Sequence, residues 1–73
     1  MNATQCKMAR AALGLGVRDL AALADVAQAT VSRLERGEEL KPTTVQTIRS
    51  ALEQAGVEFI ARNGGGAGVR LKN

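Results

Sequence analysis

A chain of 73 residues has room for one domain, near the size at which a single apolar core becomes marginal, so its helices must bury most of their apolar faces and a large catalytic cleft has no place. One cysteine and no histidine exclude an intramolecular disulfide, a Cys/His metal cluster and histidine acid–base chemistry. The net charge of +3 suits nucleic acid or another acidic partner, yet residues 26–41 are neutral, so placement has to carry the electrostatic case.

The composition, 45% hydrophobic and rich in alanine, favours helix while offering little area per residue, so Leu13, Leu20, Leu34, Ile48 and Leu52 are expected to dominate the core. A first helix is expected over residues 4–13, with either an Asn2/Gln5 capping box or Thr4 as its cap. Cys6, Ala9 and Leu13 form its inward stripe, widened by Ala12, while Lys7 and Ala11 face water. Cys6 is expected to be a reduced, semi-buried side chain; pairing between chains is the alternative. Gly14 ends the helix.

A second helix is expected over residues 17–24, with Leu20, Ala21 and Ala24 inward and Asp19 near its positive end. Asp25, Val26 and Ala27 form a short turn, plugged by Val26. The third helix follows over residues 28–36, anchored by Val31 and Leu34 and stopped by Gly37. So tight a turn predicts two helices that cross steeply, as in a helix-turn-helix.

Pro42 bars helical continuation from Lys41, so the fourth helix is expected to be capped by Thr43, with Gln46 completing a capping box. Val45, Ile48, Leu52 and Ala55 recur at helical spacing, and Gly56 ends the run. Beyond it the period changes to two: Val57, Phe59 and Ala61 alternate with Glu58, Ile60 and Arg62. After Asn63-Gly64-Gly65-Gly66, Val69 and Leu71 alternate with Arg70 and Lys72. Two short strands around a glycine-rich turn are expected, or a flexible tail beyond Ile60. The fold class is thus mainly α, a compact four-helix domain over residues 1–56 followed by a β-hairpin or dimerisation tail over residues 57–73.

Major-groove readout needs a helix with a polar edge whose opposite face is fixed to a scaffold. In the third helix Gln28, Ala29, Ser32 and Arg33 lie largely opposite Val31 and Leu34, with Thr30 beside them. Gln28 can pair two-pronged with adenine, Ala29 admits a thymine methyl, and Arg33 can reach guanine or phosphate.

The run LGLGVRDLAALADVAQATVSRLERG, residues 13–37, resembles the lambda-repressor-like, or Cro/C1-type (XRE), helix-turn-helix family of bacterial and phage regulators. The QATVSRLERG block is its strongest part, and the likeness covers residues 5–55. The resemblance implies a small helix-2 residue at Ala21 and apolar locks at Val26, Val31 and Leu34. It also implies base contacts from Gln28, Ala29, Thr30 and Arg33. A helix-1 arginine paired with the glutamate closing helix 3 falls on Arg10 and Glu35, an orienting pair whose net stabilisation can be near zero. Departures stand at Gly16 and Val17, where the family commonly has Ser-Gln, at Asp25 for its turn glycine, and at Ala27 for its serine cap. Phosphate contacts then fall to Arg18, Ser32 and Lys41, and to Thr43 and Thr44, where free helix amides suit an anion.

Small modules of this kind gain specificity by pairing across a two-fold axis. The expected function is therefore sequence-specific binding of double-stranded DNA at an inverted repeat, regulating transcription as a homodimer. Val57, Phe59, Val69 and Leu71 are the candidate dimerisation residues; alternatively, Phe59 and Val69 cover the chain's own core. A protein-interaction module, such as an antitoxin or a partner-regulated adaptor, is the competing function. An enzyme is not expected, since Glu38 and Glu39 point apart and Ser32 has no histidine base. No cofactor or metal is expected. The segment before Gly14 does not form a signal peptide and no apolar stretch of about 18 residues occurs, so the expected location is the cytoplasm, nucleoid-associated when DNA-bound.

Overall fold

The computed structural model describes residues 1–61 and 64–72. In order they form α1 (Ala3–Leu13), α2 (Val17–Ala24), α3 (Gln28–Glu35), α4 (Pro42–Ala55), β1 (Val57–Ile60) and β2 (Gly68–Leu71).

Of the two caps open for α1, the Asn2/Gln5 box forms. The Asn2 side chain accepts from the Gln5 amide at 2.8 Å, and the Gln5 side chain accepts from the Asn2 amide at 3.0 Å. Helix α2 starts from Gly16, whose amide donates to the Asp19 carboxylate at 2.8 Å, so the N3 acid supplies half of a box that glycine cannot complete. It ends at Asp25 in the left-handed region, φ 56°, a conformation that Asp tolerates better than most non-glycine residues. The Val26 amide then returns to the Ala21 carbonyl at 3.0 Å and closes the turn.

Helix α3 starts at Gln28 without a side-chain cap and stops one residue earlier than expected, with Arg36 as C-cap and Gly37 in the left-handed region at φ 88°.

The start of α4 departs from expectation. Pro42 is its first residue and Lys41 the cap, with no side-chain cap bond. Proline is pre-set for that first helical position, where its missing N–H costs nothing. Thr43 is therefore inside the helix, where its carbonyl accepts from the Thr47 hydroxyl at 2.9 Å. Gln46 donates to Ser50 at 3.1 Å, so the Thr43/Gln46 capping box does not form.

The core gathers Cys6 and Ala9 of α1, Leu20, Ala21 and Ala24 of α2, and Val31 and Leu34 of α3, with Ile48 and Leu52 of α4 and Val57 of β1. Burying a leucine or isoleucine fully contributes about 1.5–3 kcal/mol, so Leu20, Ile48 and Leu52 are its main weight. Leu13 and Val26, expected inside, are half-buried against this core. Ala12 and Ala55, expected on the inward faces of α1 and α4, are exposed. Cys6, expected semi-buried, has no exposed surface.

Of the two expectations for this segment, the hairpin forms, with β1 and β2 as a two-stranded sheet. The strands are antiparallel, pairing Val57 with Leu71, Glu58 with Arg70, Phe59 with Val69 and Ile60 with Gly68. The Lys72 amide adds a bond to the Gly56 carbonyl at 2.8 Å. The turn expected at Asn63, and the alternation expected at Arg62, lie outside the described residues. Ala61, expected to continue the alternation of Val57 and Phe59, is exposed just past the end of β1. Arg49 of α4 sits 5.1 Å from the Phe59 ring centre, a cation–π contact between helix and hairpin.

The hairpin is also pinned to α1 by Gln5. Its amide nitrogen donates to the Ile60 carbonyl at 3.2 Å and to the Gly68 carbonyl at 3.1 Å, bridging the two strands where they part.

Candidate nucleic-acid interface

Helix α3 has a fixed face and a free face. Val31 is fully buried and Leu34 nearly so, whereas Gln28, Ala29 and Arg33 are exposed and Thr30 and Ser32 half-buried. A helix held in this way presents its outward edge in one orientation, as groove readout requires.

A two-point ion pair adds to that fixation. Arg10 Nε donates to Glu35 Oε2 at 2.9 Å and Nη2 to Oε1 at 2.8 Å, while Nη1 donates to the Leu15 carbonyl at 3.2 Å. Arg10 thus links the start of the α1–α2 loop to the last turn of α3. The buried Cys6 thiol also donates to Glu35 Oε2, at 3.3 Å. The Arg10 hydrogen bond holds the Glu35 carboxyl below the ordinary carboxylate range, against the opposing effect of burial. Burial first, then the Glu35 hydrogen bond, pushes the Cys6 thiol up to about 12.

Thr30, Arg33, Lys41 and Thr44 line one groove between α3 and the entrance of α4, together with Leu40 and Glu39. Arg18 and Thr43 are exposed but lie outside it, as do Gln28, Ala29 and Ser32.

The α4 entrance offers an anion less than expected. Pro42 has no N–H, and the Thr44 and Val45 amides both donate to the Lys41 carbonyl, at 3.0 and 3.1 Å. Among the described residues this leaves only the Thr43 amide of that first turn without a backbone acceptor.

Acidic side chains close to the interface are the larger surprise. Glu38 accepts from Arg33 Nε at 3.0 Å through one oxygen, and from Arg36 Nη2 at 2.7 Å and Nε at 3.2 Å through the other. Arg36 foremost, then Arg33, holds its carboxyl below the ordinary range. The spacing from Arg33 to Glu38 is five residues and matches no helical neighbour rule. The two meet because the chain reverses at Gly37, where the Glu38 amide returns to the Arg33 carbonyl at 3.1 Å.

Of the candidate dimerisation residues, Val57 is fully buried in the chain's own core, and Phe59 and Val69 pack against it half-buried. Leu71 is 49% exposed and Ile60, on the other face of β1, is 38% exposed. No helix among the described residues is long and apolar enough to cross a membrane.

A family model described as helix-turn-helix matches residues 7–58, from within α1 into β1. A search of curated proteins returns no match. The family match spans well over half of the chain and includes both helices of the motif and the scaffold that holds them. The chain belongs to the Cro/C1-type helix-turn-helix (XRE) family of DNA-binding regulators.

Proposed function

We propose that the chain reads a specific duplex sequence with α3 in the major groove and thereby regulates transcription, working as a homodimer in the cytoplasm. The observation that carries this reading is the division of α3: Gln28, Ala29 and Arg33 are exposed along an edge opposite Val31 and Leu34, which are locked in the core. Gln28 and Arg33 are the side chains suited to base edges, with Ala29 and Thr30 admitting close approach. Arg18, Ser32, Lys41, Thr43 and Thr44 contact phosphate, and the Arg10–Glu35 pair keeps the helix at its angle to the scaffold.

Pairing runs through the hairpin. With Val57 committed to the chain's own core and Phe59 and Val69 half-buried against it, the contact falls on the strand edges, flanked by Leu71 on one face of the hairpin and Ile60 on the other. A two-fold dimer sets the reading helices about 34 Å apart and calls for an inverted repeat. A protein partner is the second reading, favoured by Leu23, which is 55% exposed beside a groove between α2 and α4.

Titrating labelled protein with a duplex of random sequence, then with one enriched by binding, tests the reading by amide chemical shifts. Shifts centred on Gln28 to Arg33 are expected for the enriched duplex. Shifts confined to α4 and the hairpin would contradict it.

A further inference from the structure

We propose that Glu38 is a specificity-determining residue for DNA: its carboxylate orients Arg33 for a base edge and withholds Arg33 and Arg36 from indiscriminate phosphate contact. The proposal rests on the reading of α3 as the element that enters the groove.

The geometry carries it. Glu38 holds Arg33 by Nε alone, so the two terminal nitrogens, the pair that faces guanine O6 and N7 end-on, have no partner among the described residues. A guanidinium held by its Nε–H keeps its plane, so less side-chain freedom is lost when it meets a base. The other carboxylate oxygen engages Arg36 at two points. One acidic group thereby occupies both arginines at this end of α3.

A structural role does not account for this arrangement. Arg33, Arg36 and Glu38 are 49%, 62% and 43% exposed, and exposed bridges add little to stability. An end-on contact with the right base uses the two terminal nitrogens and leaves the Nε bridge in place, whereas a side-on, two-pronged contact with phosphate needs Nε and has to break it. Glu38 therefore costs random duplex more than it costs the right sequence. Glu39, in the groove beside Lys41 and Arg33, lies on the same side of the balance.

The test is fluorescence anisotropy over a range of KCl, with a site selected by the wild type and a scrambled duplex of equal length. It compares wild type, Glu38→Gln, Glu38→Asp, Arg33→Ala and the Arg33→Ala/Glu38→Gln double variant. Glu38→Gln is expected to bind scrambled duplex about fivefold tighter at ~0.15 M salt, with a salt slope steeper by about 0.9, the signature of one added phosphate contact. Affinity for the selected site changes less, so the ratio of the two falls. Glu38→Asp, which keeps the charge, stays nearer to wild type. In the Arg33→Ala background the change in ratio disappears, and thermal melting of Glu38→Gln matches wild type throughout.

An unchanged ratio and slope in Glu38→Gln, while Arg33→Ala still loses preference for the selected site, overturns the role of Glu38 alone. A wild type that selects no sequence, or an Arg33→Ala variant that binds the selected site as wild type does, overturns the reading of α3 and this proposal with it.

Discussion

Arg10 and Glu35, on helices separated by the whole of α2, meet in a two-point ion pair at 2.9 and 2.8 Å, with the Glu35 carboxylate 8% exposed and the Arg10 side chain 23%. Removing only the arginine leaves a carboxylate in the protein interior with the Cys6 thiol as its remaining donor. Arg10→Met is expected to cost about 2 to 3 kcal/mol in urea unfolding, below the ~3–5 of a fully buried pair because Arg10 keeps some contact with water. The double variant Arg10→Met/Glu35→Leu is expected to recover most of that loss while weakening DNA binding. Recovery of stability together with full binding would remove the pair's role in orienting α3.

Cys6 links stability to alkaline pH. Its thiol is raised from 9.0 to about 12, so the folded state holds a proton that the unfolded chain releases first. The contribution is whole below pH 9.0 and is lost as pH rises towards about 12. Urea unfolding across that range should show wild type losing stability faster than Cys6→Ala, by up to about 1.4 kcal/mol per pH unit. At neutral pH the native thiol should resist iodoacetamide. Alkylation at the rate of a free cysteine would contradict the burial.

Gln5 serves two elements, and Gln5→Glu separates them. The carboxylate can still accept from the Asn2 amide and keep the α1 cap, but it cannot donate to the Ile60 and Gly68 carbonyls. A loss of about 2 to 3 kcal/mol is expected, from two abandoned carbonyls and a buried charge. Hydrogen exchange should speed up in β1 and β2 ahead of α1. Uniform acceleration of α1 and the hairpin would show that the cap was lost as well.

Ala27 leaves the start of α3 uncapped, with backbone angles of φ −68° and ψ 148° that already suit a capping side chain. Ala27→Ser is expected to raise stability by about 1 kcal/mol, measured as a higher urea midpoint at unchanged slope. No gain would mean that the serine hydroxyl turns to water and leaves the orphan amides of α3 as they are.

What was legible in the sequence was local. Helix α2 could be read to the residue because Leu20, Ala21 and Ala24 share one face and Asp25 must turn. The start of α3 followed from the length of the Asp25–Val26–Ala27 turn. Pro42 and Thr43 competed for one helix start, and the fixed φ of proline outranked a hydroxyl cap. The Arg10–Glu35 pair was legible through the family resemblance, but other long-range polar contacts were not: nothing near Gln5 announces the Gly68 carbonyl, and nothing near Cys6 announces its own bond to Glu35. The alternation that makes Val57 a candidate for pairing between chains does not reveal that it is buried in the core with residues of all four helices. The Arg33–Glu38–Arg36 cluster depends on the chain reversal at Gly37 and becomes visible only once α3 is known to end there.

Selection of binding sites from random duplex DNA by wild type and by Gln28→Ala tests most directly whether α3 reads sequence. An inverted repeat should emerge for wild type, and Gln28→Ala should lose preference at one position in each half-site, worth about 1–3 kcal/mol there, with the salt slope unchanged. Enrichment of the same repeat with the same preference at every position, or no enrichment at low salt, would contradict it.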